Sequence, residues 1–219
     1  MENSAWHVHT HSLFASLCKI YSMMKVLRNV TSTQMIWIIW FAYFQSRLGH
    51  GILFWDGEGK SAKICRLQKK VIWLITGVHV RESCRHIFRK FQILTLASLY
   101  ILEVLCFVKK YQENLKQNYA IHGHNTRNKF DLPTRYCSTV LYHISLTNMG
   151  IKLFSKLPIQ IKQLDNHKGF MKEVKTFLLN NSFCTIEEFL HFEGILYCTL
   201  CGYNNNKLHL CTCCNFVLL

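Results

Sequence analysis

Apolar residues recur every three or four positions along much of the chain, which is the spacing that places side chains on one face of an α-helix. This pattern predicts one helix over about Ser12–Arg28 and a second over about Thr33–Leu48. A third is expected to begin at Ser61 and to end at Gly77, because glycine is favoured just past the last turn of a helix. Long helices are permitted along most of the chain, since it contains only two prolines.

The helical pattern continues with a short basic helix that Ser83 can cap and with a long apolar helix over about Thr95–Tyr111. From about Glu113 to Tyr136 the pattern disappears, and the polar, basic sequence there indicates a linker or an irregular loop. A short apolar segment follows at about Met149–Leu157, and an amphipathic helix at about Asn166–Asn180. The apolar side of that helix consists of Phe170, Val174, Phe177 and Leu178.

Two pairs of residues have the spacing of a capping box, in which each side chain satisfies a free amide at the start of a helix. The pairs are Thr31 with Gln34, and Thr185 with Glu188. Taken together, the patterns predict a mainly α-helical fold. We expect a helical region over residues 6–112, an irregular linker over 113–137, a smaller helical region over 138–192 and a disordered, cysteine-rich tail over 193–219.

Positive charge is the strongest feature of the composition. Lys and Arg number 26 against 12 acidic residues, and between residues 60 and 110 there are eleven against two, a local net charge of +9. Such an excess is typical of a polyanionic partner or an anionic membrane surface, although it can also be a solvated face that keeps the protein soluble. The candidate contacts to nucleic acid are Lys63, Arg66, Lys69, Lys70, Arg81, Arg85, Arg89 and Lys90.

Two apolar stretches raise the question of a membrane span. Met35–Phe44 is too short to cross a bilayer. The stretch Phe91–Val108 is long enough, but it contains Glu103, so a buried amphipathic helix is the better interpretation. The start of the chain does not have the pattern of a secretory leader. We therefore expect an intracellular protein of the nucleus or cytoplasm, without a membrane span.

The eleven cysteines are an odd number, which argues against a complete disulfide framework. A weak zinc site is conceivable in the tail, from Cys198, Cys201, Cys211 and Cys214, but the second pair belongs to a CxCC run rather than a clean CxxC. Reduced thiols are the favoured interpretation, and no cofactor is expected.

Two smaller groups of residues could be either a reactive site or ordinary structural residues. His7, His9 and His11 would share one face of a strand, as metal ligands do, but exposed histidines ahead of a helix need no metal. Cys84 is close in sequence to Arg81, Arg85 and His86, and cations lower the pKa of a thiol. A nucleophile also needs a positioned base, which the sequence does not supply, so no catalytic residue is assigned.

A series of short segments stands in order along the chain. They are Trp6 and His9; Ala42–Leu48 and Gly51–Trp55; Leu67–Lys70 and Ile75–Gly77; Ser83–Arg85 and Phe88; His122, Asn125–Arg127 and Asp131–Leu132; Gly150–Phe154 and Leu157–Pro158; and Glu187–Phe189. This series resembles the region that follows the polymerase core in jockey-like non-LTR retrotransposon reverse transcriptases. Three positions depart from the family pattern: His50 stands where an aromatic is usual, Asp56 where Gly or Asn is usual, and Trp73 where a basic residue is usual.

The resemblance implies that the first helices form a thumb-like bundle, which in an RNA-directed DNA polymerase holds the primer–template duplex by its backbone. It also implies that the catalytic palm is missing. Polymerases of this type place two metal ions with an adjacent Asp-Asp pair. The three aspartates here, Asp56, Asp131 and Asp165, are all isolated. We therefore expect a truncated fragment without polymerase activity.

Three hypotheses remain from the sequence. The first is a fragment that binds RNA or DNA backbone non-specifically and has no small-molecule substrate. The second is a translated transposon remnant with no biochemical role, which folds poorly without its palm. The third is a small membrane-associated protein built on Phe91–Val108.

Overall fold

The computed structural model describes residues 3–55, 61–78, 84–111, 132 and 145–192, without the side chains of residues 3–7, 54, 55 and 61. Within these ranges the fold is mainly α-helical and has no strand, as the apolar spacing predicts. The predicted linker, apart from Leu132, and the cysteine-rich tail lie outside them. The helices are α1 (Asn3–Leu27), α2 (Thr33–Ile39), a π-helix (Trp40–Gln45), α3 (Ser46–Gly49), α4 (Ile52–Trp55), α5 (Ser61–Thr76), α6 (Arg85–Lys90), α7 (Leu96–Lys110), α8 (Leu146–Ser155), α9 (Ile159–Lys162), α10 (His167–Asn181) and α11 (Ile186–Leu190).

The first helix is longer than predicted, since α1 begins at Asn3 rather than near Ser12. Residues 3–11 contain few apolar side chains, so the periodic pattern starts later than the helix does. The capping box predicted at Thr31 and Gln34 is also wrong. Ser32 caps α2 by accepting a hydrogen bond from the Met35 amide at 3.4 Å, whereas the Thr31 hydroxyl donates to the Leu27 carbonyl at 2.8 Å and so closes the end of α1.

The helix predicted over Thr33–Leu48 has a π-helical segment in its middle. The six residues Trp40–Gln45 form wider turns between α2 and α3, and the chain enters and leaves them with helical backbone angles. Trp40 and Phe44 are buried from this segment, and their rings stack with centroids 4.5 Å apart. Their burial against the core supports a backbone geometry that is rare in proteins.

Helix α7 is central to the fold, and it begins after Thr95 as the sequence predicts. The Thr95 hydroxyl accepts a hydrogen bond from the Ser98 amide at 3.1 Å. Most residues of α7 are buried, and α8 and α10 pack against it more extensively than any other pair of helices described. Glu103 is half-buried among apolar residues of this helix. No helix in the described ranges combines the length and apolarity that crossing a membrane requires.

The contact between α7 and α8 is very close at one point. A Cβ atom placed on Gly150 of α8 would lie 2.4 Å from Cγ2 of Val108 and 3.4 Å from Cγ1 of Val104. Since real side-chain atoms do not approach that closely, only glycine lets the two helices meet there.

Helix α5 is attached to the start of α7 by a buried glutamine. Gln68 is fully buried, its amide group donates to the Leu94 carbonyl, and its carbonyl accepts from the Leu96 amide, both at 3.0 Å. The Leu96 amide is one of the four amides that a helix leaves unpaired at its start. One side chain thus satisfies two backbone groups on a neighbouring element.

The helices after residue 145 begin and end largely where the sequence predicts. Phe170, Val174, Phe177 and Leu178 of α10 are buried, Asn166 caps the helix, and Ser182 ends it with a left-handed φ of 50°. The earlier helix, α8, begins at Leu146, a little before the predicted Met149, because Ser145 caps it.

Of the two hydrogen bonds in the second predicted capping box, one is confirmed. Thr185 accepts from the Glu188 amide at 3.1 Å. Glu188 accepts from the amide of Cys184 at 2.8 Å, one residue ahead of the expected partner. At α6, the expected cap Ser83 lies outside the described residues, and Cys84 holds the cap position without a side-chain bond.

The buried apolar residues form one core that runs from Leu17 on α1 to Phe189 on α11. Helices on both sides of the predicted linker contribute to it, with α7 between them. This arrangement leaves one face of α5 and one face of α10 toward solvent, and these two faces carry most of the exposed cations described below.

Candidate nucleic-acid interface

Helix α5 has an apolar face and a basic face on opposite sides. Ile64, Leu67, Val71, Ile72 and Ile75 are buried. Lys63, Arg66 and Lys70 are exposed and follow one another at spacings of three and four residues. Because each residue turns the helix by about 100°, these three side chains lie within about 60° of each other and roughly opposite the buried face. The α5 row, as we name these three residues, projects from a helix whose back is fixed in the core.

The fourth predicted cation of this helix, Lys69, is half-buried and lies near the thiol of Cys84. Burial raises the pKa of the Cys84 thiol to about 11, and the positive charge of Lys69 opposes this only in part. A neighbouring cation thus does lower this pKa, but burial outweighs its effect. With such a pKa the thiol is largely protonated at neutral pH, and the protonated form is the less reactive one.

The arginines of α6 make contacts within the protein. Nη1 of Arg85 is 2.6 Å from Oε1 of Glu188, and Nη2 approaches the sulfur of Cys184 at 3.7 Å. Arg89 donates to the carbonyl of Asn181, the last residue of α10, at 3.2 Å. Both guanidinium groups thus hold α6 to the turn between α10 and α11, where cations also complement the carboxyl end of a helix.

Two predicted nucleic-acid contacts remain, Lys90 and Arg81. Lys90 is exposed, and its Nζ lies 5.8 Å from the ring centre of Phe91. Arg81 lies outside the described residues. Residues 61–78 and 84–90 contain no acidic side chain, so no carboxylate within these segments neutralises the α5 row or Lys90.

A second basic row, on α10, is missing from the sequence-based prediction. Lys168, Lys172 and Lys175 are exposed at spacings of four and three residues, opposite the buried Phe170 and Val174. The sequence itself contains the helical spacing of these three lysines. The largest local excess of Lys and Arg, however, lies in residues 60–110, so the sequence-based prediction is confined to that region. We name these three lysines the α10 row.

The groups that could hold a metal do not come together in the described part of the chain, where no cluster of three or more His, Cys, Asp or Glu side chains occurs. His9 and His11 lie on helix α1, not on a strand, so positions two apart point to different sides. The four tail cysteines proposed as weak zinc ligands are outside the described residues. Of the three aspartates, Asp165 is exposed in the loop before α10, and Asp56 and Asp131 are outside the described residues.

The exposed cations of this arrangement can bind an extended anion by charge. Lys and Arg on a rigid helix suit contacts to phosphates, which set position rather than sequence. Comparison with protein-family models, with curated protein sequences and with solved structures finds no match to this chain.

Proposed function

We propose that this protein binds the backbone of RNA or DNA without sequence preference, through the α5 row. The observation that carries the proposal is the placement of Lys63, Arg66 and Lys70 on one exposed face of a helix whose opposite face is buried. The core holds the backbone of this helix, so the three side chains start from one rigid face. The net charge of +14 adds long-range attraction.

The dimensions of the row favour a backbone. A helix rises about 1.5 Å per residue, so the row spans roughly 10 Å and can meet two or three phosphates of one strand. Every cation that neutralises a phosphate releases a counterion, so three contacts predict a slope of log affinity against log salt of about −2 to −3. Binding is therefore expected to weaken steeply between low and physiological salt.

The same proposal agrees with the resemblance to the thumb region of non-LTR reverse transcriptases, where a helical bundle grips a primer–template duplex. We propose that the chain is a unit of this type, acting on nucleic acid in the nucleus or cytoplasm. It has no polymerase activity of its own, because its sequence lacks an adjacent aspartate pair. A primer-extension assay on the purified chain should give no product, and templated incorporation would contradict this part of the proposal.

The test of binding compares two triple variants that remove the same charge. The first replaces Lys63, Arg66 and Lys70 with Gln, and the second replaces Lys168, Lys172 and Lys175 with Gln. At about 50 mM salt we expect the first variant to bind a fluorescent oligonucleotide duplex at least tenfold more weakly than the original chain, with a flatter salt slope. The second should lose less than threefold.

Equal losses in the two variants would show that net charge alone attracts the duplex, and would overturn the assignment to α5. A salt-independent affinity, or no binding at low salt, would overturn the proposal as a whole. Matched thermal unfolding of all three proteins guards against misfolding, since every substituted side chain is exposed.

A further inference from the structure

A second polar site, which includes no residue of the α5 row in its described lining, lies between helices α1 and α3. A pocket of about 220 Å³ opens there, and its lining is His9, Ser12, Leu13, Ser16, Arg47 and His50. The four residues from α1 are spaced by three, one and three positions, which puts them on one face of that helix. Arg47 and His50 come from α3 and from the residue that follows it.

The lining is rich in hydrogen-bond donors. Arg47 donates to the Ser16 hydroxyl across the gap between the helices, which places the guanidinium at the wall of the pocket. The hydroxyls of Ser12 and Ser16 share the lining with this guanidinium, and the imidazoles of His9 and His50 lie beside them. Among the described lining residues, Leu13 is the only apolar one.

The described residues of the two elements that line the pocket carry no negative side chain. Residues 3–55 contain no Asp or Glu, so the elements that build the pocket bring no carboxylate to it. A permanently charged guanidinium with hydroxyl groups beside it favours an anion with several oxygen acceptors. The tetrahedral oxygens of a phosphate group can accept from two walls at once, whereas a planar carboxylate has only two oxygens to offer.

We propose that this pocket binds a phosphate group. Its volume is below the roughly 300–1,000 Å³ of sites that enclose a drug-sized ligand, so it accommodates the phosphate and leaves any attached group in solvent. The phosphate comes either from a free phosphate ion or from the end of a nucleic-acid strand. The site contains none of the residues of the α5 row. The proposal of phosphate binding can therefore be tested independently of the proposed function.

The first experiment measures binding of inorganic phosphate to the full chain by calorimetry, at constant ionic strength set with chloride. Two variants probe the pocket, Arg47→Gln and Ser12→Ala. The matched control is Lys25→Gln, which removes one positive charge from an exposed position of α1 on the side away from the pocket. We expect Arg47→Gln to weaken phosphate binding at least tenfold, Ser12→Ala to weaken it severalfold, and Lys25→Gln to leave it within twofold.

Phosphate binding that is equal in the Arg47→Gln variant and the original chain would overturn the proposal, and so would the absence of phosphate binding. Circular dichroism of each variant without phosphate establishes that the fold is retained, as the exposure of Arg47 and Ser12 predicts.

A second experiment identifies the source of the phosphate. A short single-stranded oligonucleotide with a 5′-phosphate competes with inorganic phosphate, in parallel with the same strand bearing a 5′-hydroxyl. Displacement by the phosphorylated strand alone assigns the site to strand ends, and displacement by neither assigns it to the free ion. The triple Gln variant of the α5 row separates the two proposals, because it should lose duplex binding and keep phosphate binding.

Discussion

At the scale of single residues, Gly150 has the sharpest effect on packing. Alanine is the better helix former, yet its Cβ would meet Val108 at 2.4 Å and force α8 away from α7. We expect Gly150→Ala to lower the free energy of unfolding by about 1–3 kcal/mol, the usual range for overpacking. Urea unfolding of the purified chain measures it.

Gly169 of α10 is the matched control for that prediction. An added Cβ there meets only Cβ of Asn166 at 3.8 Å, an ordinary contact. Gly169→Ala should therefore raise stability by about 0.5–1 kcal/mol, since it restricts the unfolded chain and favours helix. Equal effects of the two substitutions would contradict the close approach of α7 and α8.

Gln68 is the second residue with an effect beyond its own helix. Gln68→Leu keeps most of the volume but leaves the Leu94 carbonyl and the Leu96 amide without their partner. Each buried backbone group left unpaired costs about 1–3 kcal/mol, so we expect a large loss of stability. Gln160→Leu, at an exposed position of α9, should change stability by no more than about 0.5 kcal/mol. Thermal and urea unfolding of both variants compare them.

The sequence predicts residue-level features well where the interaction is local. Thr185 caps its helix as the sequence predicts, and the helices expected from about Thr95 and Asn166 begin at those residues, because a cap bonds an amide only two or three positions away. The partners of Gln68 and Gly150, in contrast, are 26 or more positions away. Nothing in the local pattern indicates them, since both depend on how α7 packs.

At the scale of elements, α7 contains a half-buried charge that makes stability depend on pH. Burial raises the pKa of the Glu103 carboxyl above its ordinary value of 4.5. The folded state therefore holds this proton more tightly than the unfolded state. The contribution of Glu103 to stability is favourable below about pH 4.5 and is lost as the pH rises through the raised pKa.

Glu103→Gln removes that dependence. We expect the variant to be more stable than the original chain at pH 7, and the difference to shrink toward zero near pH 4. Urea unfolding at the two pH values measures it, with Glu173→Gln, exposed on α10, as control. An advantage that is the same at both pH values would show that packing, rather than ionisation, separates the proteins.

In the candidate site, too, the sequence predicts the features that depend on neighbouring residues and not those that depend on residues far apart in the chain. The α5 row follows from helical spacing alone and could be predicted. The roles of Arg85 and Arg89 could not, because Glu188 and Asn181 lie 103 and 92 positions along the chain. The phosphate pocket was also beyond prediction, since it needs α1 and α3 to lie side by side.

At the scale of the whole molecule, helices before and after the predicted linker share one core. Leu17, Val104 and Phe170 are all fully buried within it, although they come from α1, α7 and α10. A chain that folds around such a core unfolds cooperatively, with its central helix the last to open. This behaviour separates the proposed binding unit from a remnant that does not fold.

Hydrogen exchange on the full chain tests that behaviour. Amides of α7 between residues 100 and 108 should exchange slowest, at rates set by global unfolding, and added urea should accelerate them together with buried amides of α5 and α10. Exchange within seconds throughout the chain would instead favour the remnant without a function.

The π-helix gives the chain an unusual tolerance of changes in length. Its turns hold one residue more than an α-turn, so losing one residue converts them to α-helix instead of breaking the helix. Deleting Ala42, which is exposed, would leave Trp40 and Phe44 on the buried side and Arg47 still toward α1. The same deletion inside α7 would turn every later side chain by about 100° and remove it from the core. The segment Trp40–Gln45 is therefore where this protein can shorten by a residue and retain both its fold and its phosphate pocket.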